Sequence, residues 1–384
     1  MQTGSPKVEH LYVHVPFCAA KCHYCAFYSE AGSAEKMSAY VDVVIAELAA
    51  WSGVGAASPP RSVPNPSRGG DAAPTTQAQW VIAPKTIFFG GGTPSLLPAP
   101  LMRRILEQVP ARHATEWTVE CNPATVSTEK AKLFREFGVN RISMGVQALD
   151  DAMLEVLGRI HTEDSAVRSY EKLRAAGFEN INLDLMFGLP GQTVAHWQET
   201  LRRAIALQPE HLSTYCLILE EDTEFWRLFK AGHIKPNEEQ ELVMYEMAME
   251  TLAAAGYRQY EISNFAKPGR ECAHNIAYWE GKNYLGVGPS ACSTVGGRRW
   301  QNTPALEGWT AAAVETITPE LRAAECAAFG MRMNAGVPAE LVRGRWDKQV
   351  AELLSAELVQ WRGNRLQPTR RGILFADEIA AEFV

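Results

Sequence analysis

The chain has no apolar run approaching the ~20 residues that span a bilayer, so no transmembrane helix is expected. It has no excess of positive charge. Its 37 Lys and Arg against 44 Asp and Glu leave a net charge of −7, which removes the case for general nucleic-acid affinity. No internal repeat of fixed period is visible. The first ten residues are polar and Leu11–Val15 is too short for the apolar centre of a secretory signal, so a cytoplasmic, reducing setting is expected. No glycine-rich loop ends in Lys-Ser/Thr, which disfavours nucleoside triphosphate binding. No Cys-x-x-Cys-His run is present, so covalent attachment of a c-type heme is not indicated.

Cysteine is sparse, eight in 384 residues, yet three lie together in Cys18-Ala-Ala-Lys-Cys22-His-Tyr-Cys25. Soft thiolates at such spacing hold iron–sulfur clusters or zinc. A closed zinc site needs a fourth ligand, which His14 or His23 could supply. Three cysteines on a four-iron cluster would instead leave one iron free for something that reacts. The iron–sulfur reading is favoured on spacing; buried structural thiols and disulfides are the bland alternatives.

The length and a hydrophobic fraction of 46% point to an ordinary globular protein of two domains. Ten Trp favour aromatic-lined sites, although most will be core. Residues 52–84, rich in Gly, Pro and Ser, are expected to be a flexible insertion. Around them, strand patterns at Leu11–Val15, Thr86–Phe89, Trp117–Glu120, Arg141–Gly145, Ile181–Phe187 and His211–Leu217 alternate with helical ones. The helical patterns are Ser38–Ala50, Ala99–Val109, Thr128–Phe137, Ala166–Ala176 and Val194–Leu207. Such alternation argues for an α/β fold, a parallel sheet covered by helices; six units fit a partial (β/α)6 barrel. A doubly wound open sheet is the alternative. After residue 217 the pattern changes. Residues 218–384 are expected to form a C-terminal α+β domain with a helix at Glu238–Ala255. It would end, from about residue 310, in a winged-helix-like cap built around Gln349–Leu358, a hairpin over Val359–Pro368, and Thr369–Phe383.

In parallel-strand barrels the active site forms at the C-terminal ends of the strands, and polar residues fall there in this sequence. The three cysteines follow strand one and Gly90-Gly-Gly-Thr93-Pro-Ser95 follows strand two. Glu120 ends strand three, Gln147 follows strand four, and Asp184 lies within strand five. The glycines read equally well as a tight turn or as backbone approaching a ligand. A carboxylate inside the apolar run Ile181-Asn-Leu-Asp-Leu-Met-Phe187 must be paired or used, and hydrogen bonding to ribose is one such use. Arg159 reads as a surface charge or a carboxylate clamp.

With Tyr24 before its last cysteine, the triad resembles the signature of the radical S-adenosylmethionine (SAM) superfamily. Gly90–Thr93 resembles that superfamily's glycine motif. Within it the chain is similar to the oxygen-independent coproporphyrinogen III oxidase group, through Tyr12-Val-His-Val-Pro-Phe-Cys18, Glu120-Cys-Asn-Pro123, Arg141-Ile-Ser-Met-Gly-Val-Gln147 and Asn182-Leu-Asp-Leu-Met-Phe-Gly-Leu-Pro190. The resemblance implies a 4Fe-4S cluster on Cys18, Cys22 and Cys25, with SAM on its fourth iron. It implies that Tyr12, Tyr24, Gly91, Gly92, Thr93, Glu120, Gln147, Arg159 and Asp184 surround SAM. It also implies reductive cleavage of SAM to a 5′-deoxyadenosyl radical, chemistry that belongs to the cofactor.

Two departures bear on the subgroup. The oxidases carry a further cysteine two positions after the triad, where this chain has Phe27, and they have a longer N-terminal extension. Both differences, and Cys272-Ala-His274-Asn-Ile-Ala-Tyr278-Trp279, match the heme-chaperone branch. That resemblance implies heme as a third cofactor with His274 as its ligand, imidazole being a common axial ligand. Cys272 is a weaker candidate. It implies transfer of heme to an acceptor protein, one of the respiratory chain among the candidates, and a homodimer. A core histidine beside structural aromatics is the bland alternative for His274. An oxidative decarboxylase of coproporphyrinogen III, a radical SAM methyltransferase and a zinc-stabilised barrel are the rival functions.

Overall fold

The computed structural model describes residues 7–52 and 81–384. The chain divides into two compact units. The first holds the described residues up to Leu183, with Leu217–Lys235 and Asn283–Thr316; the second holds Asp184–Cys216, Pro236–Lys282 and Ile317–Val384. The boundary expected at residue 217 is thus one of several places where the chain passes between units.

The strands are β1 (Lys7–Val15), β2 (Val81–Gly91), β3 (Glu116–Cys121), β4 (Arg141–Gln147), β5 (Ile181–Phe187) and β6 (His211–Cys216). Each contains or overlaps an expected strand. In the first unit β1–β2, β2–β3 and β3–β4 pair in parallel, with Val13 against Phe89, Phe89 against Val119, and Val119 against Ile142. All four side chains are fully buried, as strands covered on both faces require. Helices Ala34–Ser52, Ala99–Leu106, Thr128–Glu136 and Glu163–Ala175 follow successive strands, and side-chain caps fix two of the starts. Ser127 accepts from Lys130 N at 3.2 Å, and Thr162 and Ser165 form a reciprocal capping box.

Val81–Pro84, expected in the insertion, are strand. Val81 and Ile82 pair with Lys7 and Val8, and the register then shifts to His10 against Thr86. Pro84, which has no N–H to donate, falls in that irregular stretch, where a proline is tolerated. Ser52 ends the helix Ala34–Ser52, and the rest of the expected insertion, residues 53–80, lies outside the described residues.

The edge of β1 away from β2 is paired in parallel by Tyr284–Val287, from far along the chain. Antiparallel strands Cys292–Val295, Arg298–Asn302 and Ala311–Thr316 continue the sheet. Ala311–Thr316 therefore belongs with the first unit and not with the C-terminal cap expected from about residue 310.

In the second unit β6 pairs antiparallel with Asn264–Ala266, which pairs with Arg258–Gln259. The helix Val194–Ala206 seats Trp197, whose Nε1 donates 2.8 Å to Met244 O in the helix Glu238–Ala254. The C-terminal part packs helices Pro319–Gly330 and Asp347–Ser355 against the sheet of Val337–Pro338, Arg365–Pro368 and Val359–Arg362. Its apolar core includes Met331, Val350, Leu366 and Phe383. This is the winged-helix-like arrangement that the hairpin suggested. Among the described residues, no helix is long and apolar enough to cross a membrane.

Candidate functional site

The C-terminal end of β1 runs into the cysteine loop. Phe17–Cys18 forms a short parallel ladder with Glu30–Ala31, which closes the loop at its far side. The glycine motif at the end of β2 lies directly against this junction. Gly92 N donates to Val15 O and Thr93 N to Phe17 O, both at 2.8 Å. A Cβ on Gly92 would lie 2.8 Å from those same carbonyl oxygens, so only glycine lets the two chains meet. Thr93 Oγ1 is 3.7 Å from Cys18 Sγ, which joins the motif to the triad.

Gly91 adopts φ +102°, and a Cβ there would lie 2.5–2.8 Å from three atoms of the His14 imidazole. That ring cannot swing away. Tyr12 OH donates to its Nδ1 at 3.1 Å, and its Nε2–H donates to Tyr28 O at 3.2 Å. Burial pushes the His14 pKa down, which keeps the ring neutral in this tautomer. Gly91→Ala is therefore expected to cost about 2–4 kcal/mol in urea unfolding, from left-handed strain plus the clash. An unchanged midpoint would contradict this geometry.

Arg159 joins the cysteine loop to the end of β4. Its Nη2 donates to Gly145 O at 2.6 Å and its Nη1 lies 3.5 Å from Cys22 Sγ. Burial opposes its charge, but Tyr24 and Cys22 beside it outweigh burial and the net shift is upward. A Cβ on Gly145 would touch Gln147 Nε2 at 3.0 Å and Arg159 at 3.4 Å, so these two side chains flank one glycine. Gln147 itself is held at φ +67°, a left-handed conformation uncommon for a side-chain-bearing residue. Glu120 approaches Gly90, where a Cβ would lie 3.1 Å from its carboxyl. Burial, then Glu120, raises the Tyr12 pKa well above its ordinary value, and Tyr12 stacks on Phe88 at 6.3 Å.

The structure thus brings Tyr12, the three cysteines, Tyr24, Gly91, Gly92, Thr93, Glu120, Gln147 and Arg159 into the first unit, linked through these contacts. Asp184 is the one half-buried position of β5 and belongs to the second unit. His274, also there, is 1% exposed in the helix Ala273–Trp279, its Nε2 3.1 Å from Tyr278 OH. Cys272, the N-cap of that helix, is fully buried.

The donor set bears on the cofactor. Among the described residues, no three His, Cys, Asp or Glu side chains converge as they would on a single metal ion. A lone zinc draws its thiolates to about 2.3 Å from one centre. A four-iron cube takes one thiolate per corner, and Cys18, Cys22 and Cys25 are half-buried and free of disulfides. His14 has both ring nitrogens engaged, and His23 Nδ1 is 2.9 Å from Val156 O. Burial, then Cys22 and Cys18, raise the Cys25 pKa, a charge penalty that metal binding relieves. Arg159 Nε is buried with no partner, the kind of unsatisfied donor that a bound carboxylate would satisfy. The residues present fit a cluster with an amino-acid-like ligand beside it.

One group that supports this site was not singled out from the sequence. Glu47 is 4% exposed, and its Oε2 accepts from Gly288 N at 2.9 Å and from Trp309 Nε1 at 2.8 Å. Asn302 Nδ2 holds Gly288 O at 2.8 Å. Gly288 lies against the end of β1, where a Cβ would sit 2.6 Å from His14 O. The readable signal was an acid in step with Tyr40, Val44 and Trp51 on the buried helix face. Burial raises the Glu47 pKa to about 7. The folded state then holds a proton that the unfolded chain releases near its ordinary value. Stability is expected to fall as pH rises from about 4.5 to about 7, by on the order of 3 kcal/mol. In Glu47→Gln that part of the decline should be absent when unfolding free energies at pH 5 and pH 8 are compared.

The fold is that of a radical SAM protein. The family model "Radical SAM superfamily" matches residues 74–204. The coproporphyrinogen III oxidase HemN of Escherichia coli superposes with TM-score 0.76 over 99% of this chain and 90% of that one, at 23% identity. That likeness establishes the partial barrel with a C-terminal α+β part. The heme chaperone HemW of Bacillus subtilis (strain 168) is 34% identical over 97% of this chain and 98% of its own length. That of Escherichia coli (strain K12) is 38% identical over 73% of this chain and 68% of its own. The chain belongs to the HemW family.

Proposed function

We propose that this protein binds heme and hands it to an acceptor protein, carrying a 4Fe-4S cluster and SAM as resident cofactors. The observation that carries the reading is the pairing of a built radical SAM site with Phe27, a side chain 68% exposed, at the position of the oxidases' further cysteine. The family relationship supplies the ligand.

In this reading Cys18, Cys22 and Cys25 each hold one iron of the cluster. Arg159 and Gln147, with the backbone of Gly91, Gly92 and Thr93, orient the methionyl end of SAM. Glu120 and Tyr12 stand on its other side, with Tyr24 at the loop and Asp184 near the ribose. When bound, the cluster supplies one electron to SAM. The protein's own part is to position these groups and to keep His14 neutral beneath the glycine motif. His274 is the heme ligand. Residues 1–217 serve the cluster and SAM, and residues 218–384 carry the heme-binding segment. A cytoplasmic homodimer that meets its acceptor transiently completes the proposal.

Incubating the reconstituted protein with coproporphyrinogen III, SAM and a reductant tests the reading against its closest rival. Little or no vinyl product is expected over hours. Multiple turnovers would overturn the chaperone assignment.

A further inference from the structure

Arg332 follows the helix Pro319–Gly330 in the second unit. Its guanidinium carbon lies 5.2 Å from the centre of the Trp279 ring, a cation–π seat at the end of the helix that carries His274. Among the described residues its one ion pair is with Asp377, a carboxylate 84% exposed. Exposed pairs of this kind are weak and exchange readily. The Nε–H of Arg332 is buried without a partner, and so is the indole N–H of Trp279. Buried donors of native proteins are usually satisfied, and each exception needs a reason.

One reason is structural. Glu261 is 1% exposed, and Arg332 faces its charge. Yet Glu261 is bonded to Asn264 and to the backbone at Ser263 and Asn264, while its Oε1 accepts nothing. Arg332 therefore offsets a buried charge without bonding to it; its Nη1 holds Asp377 and its Nε–H stays unused. A guanidinium fork with spare N–H groups, backed by an aromatic face and an indole donor, is suited to a ligand carboxylate. Trp279 lies five residues beyond His274 on the same helix, about 7.5 Å along its axis and about 140° around it, so Arg332 sits at the end of that helix and not on the face of His274.

We propose that Arg332, seated on Trp279, receives a side-chain carboxylate of the porphyrin while His274 takes the iron. The proposal rests on the heme reading and adds what the site selects: a porphyrin with free carboxylates. Bound ligand displaces Asp377 and satisfies the two unused donors.

The test is to titrate the cluster-loaded full chain with heme and with heme dimethyl ester in the same detergent, using wild type, Arg332→Lys and Arg332→Gln. Wild type is expected to bind heme roughly 10-fold or more tightly than the ester, the scale of a hydrogen bond to a charged group. Arg332→Gln should lose that preference and leave the ester affinity unchanged; Arg332→Lys should keep part of it. An Arg332→Gln protein that binds heme as wild type does overturns the proposal. So does equal loss of heme and ester together with lower thermal stability, both restored by adding Glu261→Gln, because that outcome assigns Arg332 to Glu261. Wild type that binds neither ligand overturns the heme reading and the Arg332 assignment with it.

Discussion

Replacing any one of Cys18, Cys22 or Cys25 with alanine is expected to remove the iron–sulfur cluster. Anaerobically reconstituted wild type should hold about four irons per chain, and each variant well below one. Each thiolate serves one corner of the cube. His14 has both nitrogens bonded, and burial pushes the Cys121 thiol up to about 12, so it offers no thiolate near neutral pH. The apo-variants should unfold like apo wild type, because the three cysteines are half-exposed and their removal falls within the ±0.5 kcal/mol typical of surface changes. Iron analysis with visible absorption checks this. A single-cysteine variant with full iron content would show that the triad is not the ligand set.

The second large effect concerns heme. His274→Ala is expected to weaken heme binding by roughly 10–100-fold, the scale seen when metal sites lose a supporting group, and to change the bound heme's absorption spectrum. Iron–sulfur content should not change. The structure adds a condition. His274 is 1% exposed and its Nε2 meets Tyr278 OH at 3.1 Å, with the rings edge to face at 4.8 Å. Ligation therefore requires the helix Ala273–Trp279 to shift enough to free that nitrogen. Tyr278→Phe removes one competitor for it and should bind heme at least as fast as wild type. Indistinguishable spectra and affinities for wild type and His274→Ala would remove His274 from the site.

Much of the fold was legible because its signals are local. Val13, Phe89, Val119 and Ile142 lie in short apolar runs, and each run became a buried strand. Ser127 and Thr162 cap two of the helices within one turn, a local signal of the same kind, although the helix expected from Ala166 begins at Glu163. What escaped was non-local. Tyr284–Val287 pairs in parallel with β1 from more than 250 residues away along the chain, and nothing in its four residues names that partner. Val81–Pro84 look like a linker because of Pro84, yet a register shift accommodates it. The cysteines, the glycine motif and Arg159 were legible as residue types at telling positions. Their support was less so. Glu47 acts through Gly288, Asn302 and Trp309, and a sequence does not say which backbone N–H a buried carboxylate will meet. The same holds for Arg332, whose neighbours Trp279 and Glu261 come from separate segments.

The claim that this radical SAM protein carries heme is tested most directly by an anaerobic equilibrium titration with heme, using the cluster-loaded wild type with SAM present. The account predicts saturable binding of one heme per chain, with iron–sulfur content unchanged, and transfer of that heme to an added apo-hemoprotein. Absence of saturable binding, or heme that never leaves for an acceptor, would contradict it.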